Sequence, residues 1–146
     1  KKFKISVDYT AIEAEPVQLK EARQLNFHEP ISYSQKDFLK LHELDFNNTN
    51  QLNPFFNLCK IKGLLQNYTA SSLYDLIYFD AFGATAQPEL WTIEITNQLF
   101  KMLKPNGVVV TYSVKGSFRR SLIESGFSVE KIQGPPGKRE MLRATK

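Results

Sequence analysis

Residues 73–112, LYDLIYFDAFGATAQPELWTIEITNQLFKMLKPNGVVVTY, decide the fold. Residues 73–79 are a near-continuous apolar run, the pattern of a strand buried on both faces of a parallel sheet. Residues 88–103 set Trp91, Ile95, Leu99, Met102 and Leu103 at helical spacing, which predicts a helix with one apolar face. Lys104-Pro105-Asn106-Gly107 then supplies the proline and glycine expected just past a helix C-terminus. Residues 108–112, VVVTY, read as the next buried strand. Strand, helix and strand in this order form the unit of an α/β sheet.

The same alternation continues outward. On the C-terminal side, residues 116–125 read as a basic helix closed by Gly126, residues 127–132 as a strand, and Gly134-Pro135-Pro136-Gly137 as a stiff turn before a last strand over 139–145. On the N-terminal side, residues 57–61 read as a strand turning at Gly63, residues 47–57 as a polar loop with a proline, and residues 37–44 as a short helix. A further helix is expected over 16–25, because Pro16 suits a first helical turn. Residues 3–12, FKISVDYTAI, read as a strand closing on Glu13 and Glu15. The expectation is one α/β domain over residues 1–146: an open, mostly parallel sheet with helices on both faces and an antiparallel last strand.

Composition narrows the class. A chain of 146 residues, 42% hydrophobic and 23% charged, is globular and neither a disordered tail nor a disulfide-stapled miniprotein. No apolar run is long enough to span a bilayer, and Lys1, Lys2 and Lys4 precede a strand-like stretch and not a signal sequence. Cys59 is the only cysteine, which excludes an internal disulfide and a cysteine-built zinc site; it reads as a small buried strand residue. His28 and His42 have no partners at metal-ligand spacing, so no metal site is expected. Neither a GxSxG nor a GxxxxGK[ST] motif occurs. These features fit a soluble cytoplasmic domain. Its net charge of +4 is uneven: residues 1–100 carry 9 basic and 12 acidic side chains, residues 101–146 carry 10 and 3. Such asymmetry is either the footprint of a polyanion partner or a solvated cationic surface.

In open sheets of this kind ligands sit beyond the carboxyl ends of the strands. Glu13 is placed to accept hydrogen bonds from two ribose hydroxyls, or is an exposed surface glutamate. Asp80 leaves the most apolar strand of the chain, where a carboxylate is costly unless it is hydrogen-bonded or functional. There it would orient an attacking amine and take its proton while Phe82 stacks on a planar base, or else it caps the following turn. Trp91 falls on the apolar face of its helix and reads as core. The ring of Tyr112 suits a pocket wall, with its hydroxyl wet. Lys115-Gly116-Ser117-Phe118-Arg119-Arg120 sits at a loop-to-helix junction, where free amides and cations attract phosphate. Lys138 and Arg139 ride on the stiff GPPGKRE segment, as a recognition loop or an ordinary hairpin with exposed cations.

With these residues assembled, DLIYFDAFGATAQPELWTIEI, NGVVVTYSVKGSFRRSLIESGFSVEKIQGPPGKREMLRATK and the earlier YTAIEAEP resemble the MnmC-like methyltransferase domain family. This is the amino-terminal half of a bifunctional tRNA wobble-uridine enzyme and its stand-alone relatives. The resemblance is dense over the last half of the chain and looser before it. It implies a Rossmann-like S-adenosylmethionine-dependent methyltransferase acting on the exocyclic amine of 5-aminomethyl(-2-thio)uridine in tRNA. A flavin-dependent oxidoreductase would act earlier on the same tRNA. Carried over by position, Glu13, Gly63, Leu64, Asp80 and Ala81 would meet the cofactor, and Asp80 with Phe82 would serve catalysis. Tyr112, Lys115, Arg119, Arg120, Lys138 and Arg139 would meet substrate or RNA. Two departures stand out. The family's first strand and Gly-rich loop have no counterpart, so the sheet is expected to lack that strand, as in an amino-terminal truncation, or to have a different element in its place. Leu64 stands where the family usually presents an Asp toward the adenine. Two rival readings follow: an RNA-binding remnant without catalysis, and a methyltransferase for another amine.

Overall fold

The computed structural model describes residues 5–27 and 34–146. Lys1, Lys2, Phe3, Lys4 and His28, named above, lie outside the described residues. The chain divides into two compact units, Lys1–Tyr68 and Thr69–Lys146.

The first unit holds a three-stranded sheet in the order β1-β3-β2, with β1 (Val7–Glu13), β2 (Thr49–Asn53) and β3 (Phe56–Lys62). β1 and β3 are parallel and in register from Val7–Phe56 to Glu13–Lys62. The polar loop expected over 47–57 is in fact β2 and the hairpin joining it antiparallel to β3. TNQLN shows no apolar alternation because β2 is an edge strand with little to bury. The turn is set locally: the Asn53 side-chain oxygen accepts from the Phe55 N–H at 2.9 Å, as Asn does in Asx turns. The helix expected from Pro16 is the single turn α1 (Leu19–Ala22). It begins only after Gln18, whose N–H donates to the Glu21 carboxylate at 3.0 Å. Helix α2 (Gln35–Glu43) is capped by Ser34, whose hydroxyl accepts from the Asp37 N–H at 3.1 Å.

The second unit holds a four-stranded sheet in the order β4-β5-β7-β6: β4 (Tyr74–Tyr78), β5 (Leu103–Thr111), β6 (Ser128–Gln133) and β7 (Glu140–Thr145). β4 and β5 are parallel; β7 runs antiparallel to both β5 and β6. The fold is α/β with mixed sheets. The run over 73–79 is not buried on both faces: β4 is an edge strand, and Tyr78 is 63% exposed. Its last residue, Phe79, turns into the core.

Helix α3 (Ile93–Met102) is shorter than the pattern over 88–103 implies, because residues Pro88–Leu90 form a separate 3-10 turn and Trp91 lies between the two. Lys104-Pro105-Asn106-Gly107 does not simply stop the helix. It is drawn into β5, where the register against β4 shifts and Asn106 takes the left-handed conformation (φ 64°). Helix α3 buries Ile95, Thr96, Leu99 and Met102, and α4 (Gly116–Glu124) buries Phe118 and Leu122. The fully buried Thr96 hydroxyl bonds the Ile93 carbonyl at 3.0 Å, the Ser121 carbonyl at 3.2 Å and the Ser125 hydroxyl at 2.6 Å, locking α3 to α4 without leaving a polar group unmet. Gly126 follows α4 at φ 100°, a conformation glycine adopts without a Cβ penalty. No described helix is long and apolar enough to cross a membrane.

Candidate active site

Asp80 lies just past the carboxyl end of β4, separated from it by Phe79. The backbone around it is pinned at four points. The Phe79 N–H donates to the Val110 carbonyl at 2.8 Å, tying the chain to β5 just before the acid. The Ala81 carbonyl accepts from the Tyr112 hydroxyl at 2.7 Å. The Phe82 N–H donates to the Gln87 side-chain oxygen at 3.1 Å, and the Phe82 carbonyl accepts from the Trp91 indole N–H at 2.8 Å.

Beneath this loop lies an aromatic cluster. Phe79 meets Trp91 edge-on at 5.3 Å and stacks on Phe118 at 5.5 Å; Trp91 meets Phe118 at 4.7 Å and Tyr112 at 6.2 Å. Offset and edge-to-face packing of this kind adds to plain area burial. The Asp80 side chain, by contrast, is exposed and has no hydrogen bond or ion pair among the described residues. Asp80 therefore does not cap the following turn. The Phe82 ring is 73% exposed, a flat apolar face beside the acid.

Tyr112 departs from its sequence expectation, while Trp91 and Gln87 carry bonds that the sequence did not announce. The Tyr112 hydroxyl is not wet but holds the Ala81 carbonyl. Trp91 is core, and its indole N–H also carries a structural bond. Gln87 was visible only as the first letter of QPELW. Its role needed the turn that folds it back, in which its own N–H donates to the Gly83 carbonyl at 3.0 Å.

In the first unit, Glu13 and Gly63 come together at the carboxyl ends of β1 and β3, the Gly63 N–H donating to the Glu13 carbonyl at 3.0 Å. One Glu13 carboxylate oxygen accepts from the Glu15 N–H at 3.0 Å. Leu64 is exposed, just before the 3-10 turn Leu65–Asn67. Glu13 also borders a cavity of about 350 Å³ with Tyr9, Ala11, Leu58, His42 and Lys60. A carboxylate at a strand end beside an apolar floor suits a nucleoside: the acid can take ribose hydroxyls while apolar walls receive a base.

Residue type and spacing weigh His42 only as a metal ligand and do not single out Lys60. Lys60 is tied down, its ammonium donating to the Leu41 carbonyl at 2.8 Å and the His42 carbonyl at 3.1 Å and sitting 4.5 Å over the Phe46 ring. Desolvation, with Lys60 nearby, lowers the His42 imidazole below its ordinary value. Cys59 is only half-buried. No group of His, Cys, Asp or Glu able to hold a metal occurs among the described residues.

Eight of the ten Lys and Arg side chains of the second unit sort into two sets. Lys104, Lys131 and Arg143 pair with Asp75, Glu140 and Glu130 at 2.8 to 2.9 Å. Lys115, Arg119, Arg120, Lys138 and Arg139 form no salt bridge among the described residues, although the charge of Arg139 helps hold Glu140 below its ordinary value. Three of these lie at the start of α4 and two on the turn after β6; the Lys138 ammonium lies 5.1 Å over the Tyr112 ring. Gly134 permits that turn, since a Cβ there would collide with the Lys138 carbonyl.

Comparison with known proteins places these observations. A family described as S-adenosyl-L-methionine-dependent methyltransferase matches residues 23–146. The tRNA 5-methylaminomethyl-2-thiouridine biosynthesis bifunctional protein MnmC of Aeromonas hydrophila is 36% identical over 75 residues, 51% of this chain and 11% of that protein. The protein of the same name from Pseudoalteromonas translucida is 30% identical over 105 residues, 71% of this chain and 16% of that protein. The crystal structure of MnmC2 from Aquifex aeolicus superposes over 95% of this chain and 43% of its own, with a TM-score of 0.69 at 21% identity, a likeness of fold.

Proposed function

Because the chain belongs to the S-adenosyl-L-methionine-dependent methyltransferases, whose family pattern runs through both units from residue 23 to 146, we propose that it serves methyl transfer to an amine nitrogen of RNA. The target proposed is the aminomethyl group of a tRNA wobble uridine, the substrate class named by the MnmC relatives. An oxidoreductase acting earlier on the same tRNA would expose that amine. Both units are taken as parts of one methyltransferase domain.

The cofactor of this family supplies a methyl group on a sulfonium centre, a strong electrophile. The residues of the chain have the remaining tasks. In the first unit Glu13, with one oxygen already engaged by the Glu15 N–H, has the other for a ribose hydroxyl, and exposed Leu64 offers an apolar surface to a base. In the second unit Asp80 holds the N–H of the amine. Formation of the new N–C bond would break the sulfonium–methyl bond, with a neutral thioether leaving, and the positive charge gained by the nitrogen would be stabilised by the Asp80 carboxylate, which then takes up the amine proton. Phe82 stacks on the pyrimidine, because an exposed ring fixed through its own backbone loses little freedom on binding. Lys115, Arg119, Arg120, Lys138 and Arg139 take phosphates, since none of them is committed to a salt bridge among the described residues.

The observation that carries the proposal is an unpartnered carboxylate on a fixed backbone next to an exposed aromatic ring. Asp80→Asn keeps the shape and removes the charge. Methyl incorporation into tRNA bearing aminomethyl-uridine, followed by mass spectrometry, should fall by about 10²- to 10⁴-fold, the range of an acid–base contribution. Tm should stay within about a degree, because an exposed, unpaired side chain contributes little to stability. Undiminished turnover in Asp80→Asn would remove Asp80 from the reaction.

A further inference from the structure

We propose that Gln87, Trp91 and Tyr112 form a three-point clamp on the backbone of Ala81 and Phe82, and are positioning residues that aim the Asp80 carboxylate and the Phe82 ring. The inference rests on the reading of Asp80 given above but concerns different residues. None of the three is required to touch substrate.

The bonds leave the segment little latitude. Ala81 is held through its carbonyl by Tyr112, and Phe82 through its N–H by Gln87 and its carbonyl by Trp91. Together with the Phe79–Val110 bond, they fix the chain on both sides of Asp80 while its own carboxylate stays unengaged. An ordinary surface loop satisfies its backbone with water. Here three side chains from three different places do so: a turn, the link between the 3-10 turn Pro88–Leu90 and α3, and the residue after β5. Two of them are seated in the aromatic cluster, so the clamp inherits the rigidity of the core. A reacting group must be held within a fraction of an ångström of its productive place, and losing that costs rate and not affinity. The Lys138 ammonium over the Tyr112 ring links the clamp to the cationic turn.

The chain contains one tryptophan, so its indole N–H gives a single, unambiguous NMR resonance that reports the clamp directly. Trp91→Phe is unsuitable as a variant, since it opens the core and risks unfolding. Tyr112→Phe removes one hydroxyl and keeps the ring; Gln87→Leu removes the acceptor, and Gln87→Glu restores one. In the unliganded chain, Tyr112→Phe and Gln87→Leu should each speed hydrogen exchange of the Trp91 indole and the Phe82 amide several-fold, Gln87→Glu should not, and Tm should barely move. In the transfer assay, the first two variants should lower kcat about tenfold with KM unchanged, and Gln87→Glu should recover most of it. Exchange rates equal to wild type in both Tyr112→Phe and Gln87→Leu would overturn the clamp whatever the activity. Faster exchange with kcat unchanged would overturn its role in aiming Asp80. If wild type transfers no methyl group at all, the proposed function fails, while the exchange data still decide the clamp.

Discussion

The two units bury their side chains very differently. Among the described residues, the second unit has twelve buried hydrophobic side chains and the first has only Ala22 and Leu58. The second therefore has a core of its own, built on Phe79, Trp91, Leu99, Phe118 and Leu142, whereas the first is a sheet whose β1 still shows Val7 and Tyr9 to solvent. The residues proposed for chemistry divide along the same line. Asp80 and Phe82 rest on packed aromatics and behave as a pre-set surface. Glu13, Gly63 and Leu64 stand on a lightly packed sheet, where ordering on binding costs more.

The largest expected effect tests this contrast directly. Phe118 is 1% exposed and touches both Phe79 and Trp91, so Phe118→Ala should cost about 3–5 kcal/mol, the usual range for emptying an aromatic core site. Tyr9 is 42% exposed, and Tyr9→Ala should cost less than about 1 kcal/mol. Urea unfolding followed by backbone amide exchange reads both units at once. Equal losses would mean that the first unit is as tightly packed as the second.

The same contrast explains what the sequence disclosed. Helices α3 and α4 were legible because Ile95, Leu99 and Met102, and Phe118 and Leu122, recur at helical spacing and are buried. β6 and β7 were legible to within a residue, and β5 only in its apolar half from Val108, since residues 103–107 read as the end and stop of the preceding helix. Where burial is weak the signal fails: β2, with Thr49, Asn50, Gln51 and Asn53 around a lone Leu52, looks like a loop and is held by its pairing to β3. β4 shows the opposite error, since apolar residues state that a strand prefers burial and not how many neighbours its sheet provides. In the site, Asp80 and Phe82 stood out by position. The clamp did not, because Trp91 reads as core and Tyr112 as a pocket wall, each contributing a single polar atom, and Gln87 depends on a turn.

A smaller effect should separate the two sets of cations in the second unit. Replacing Lys115, Arg119 and Arg120 together by Ala should weaken tRNA binding at least about tenfold and reduce the slope of log K against log salt by about 2, given some 0.7 counterions released per single-strand phosphate contact. Lys131→Ala should leave that slope nearly unchanged, because its ammonium is committed to Glu140 at 2.9 Å. A flat salt response in the wild-type chain would remove phosphate binding from the account of both sets.

The smallest effect, and the finest test of the contrast, is pH. His42 in the first unit has its folded-state pKa lowered from 6.5, first by desolvation and then by Lys60. The folded form thus resists a proton that the unfolded chain accepts. Its contribution to stability is complete above 6.5 and is lost as pH falls below that value toward the folded pKa. Glu140 in the second unit is lowered from 4.5, first by the hydrogen bond from Lys131, so its contribution is complete above 4.5 and fades only in more acid solution. Between pH 6.5 and 4.5 the first unit should therefore loosen while the second holds. Amide exchange of β3 should quicken over this interval relative to β5, and His42→Gln should remove that quickening. Its persistence in His42→Gln would remove His42 from the acid sensitivity of the first unit.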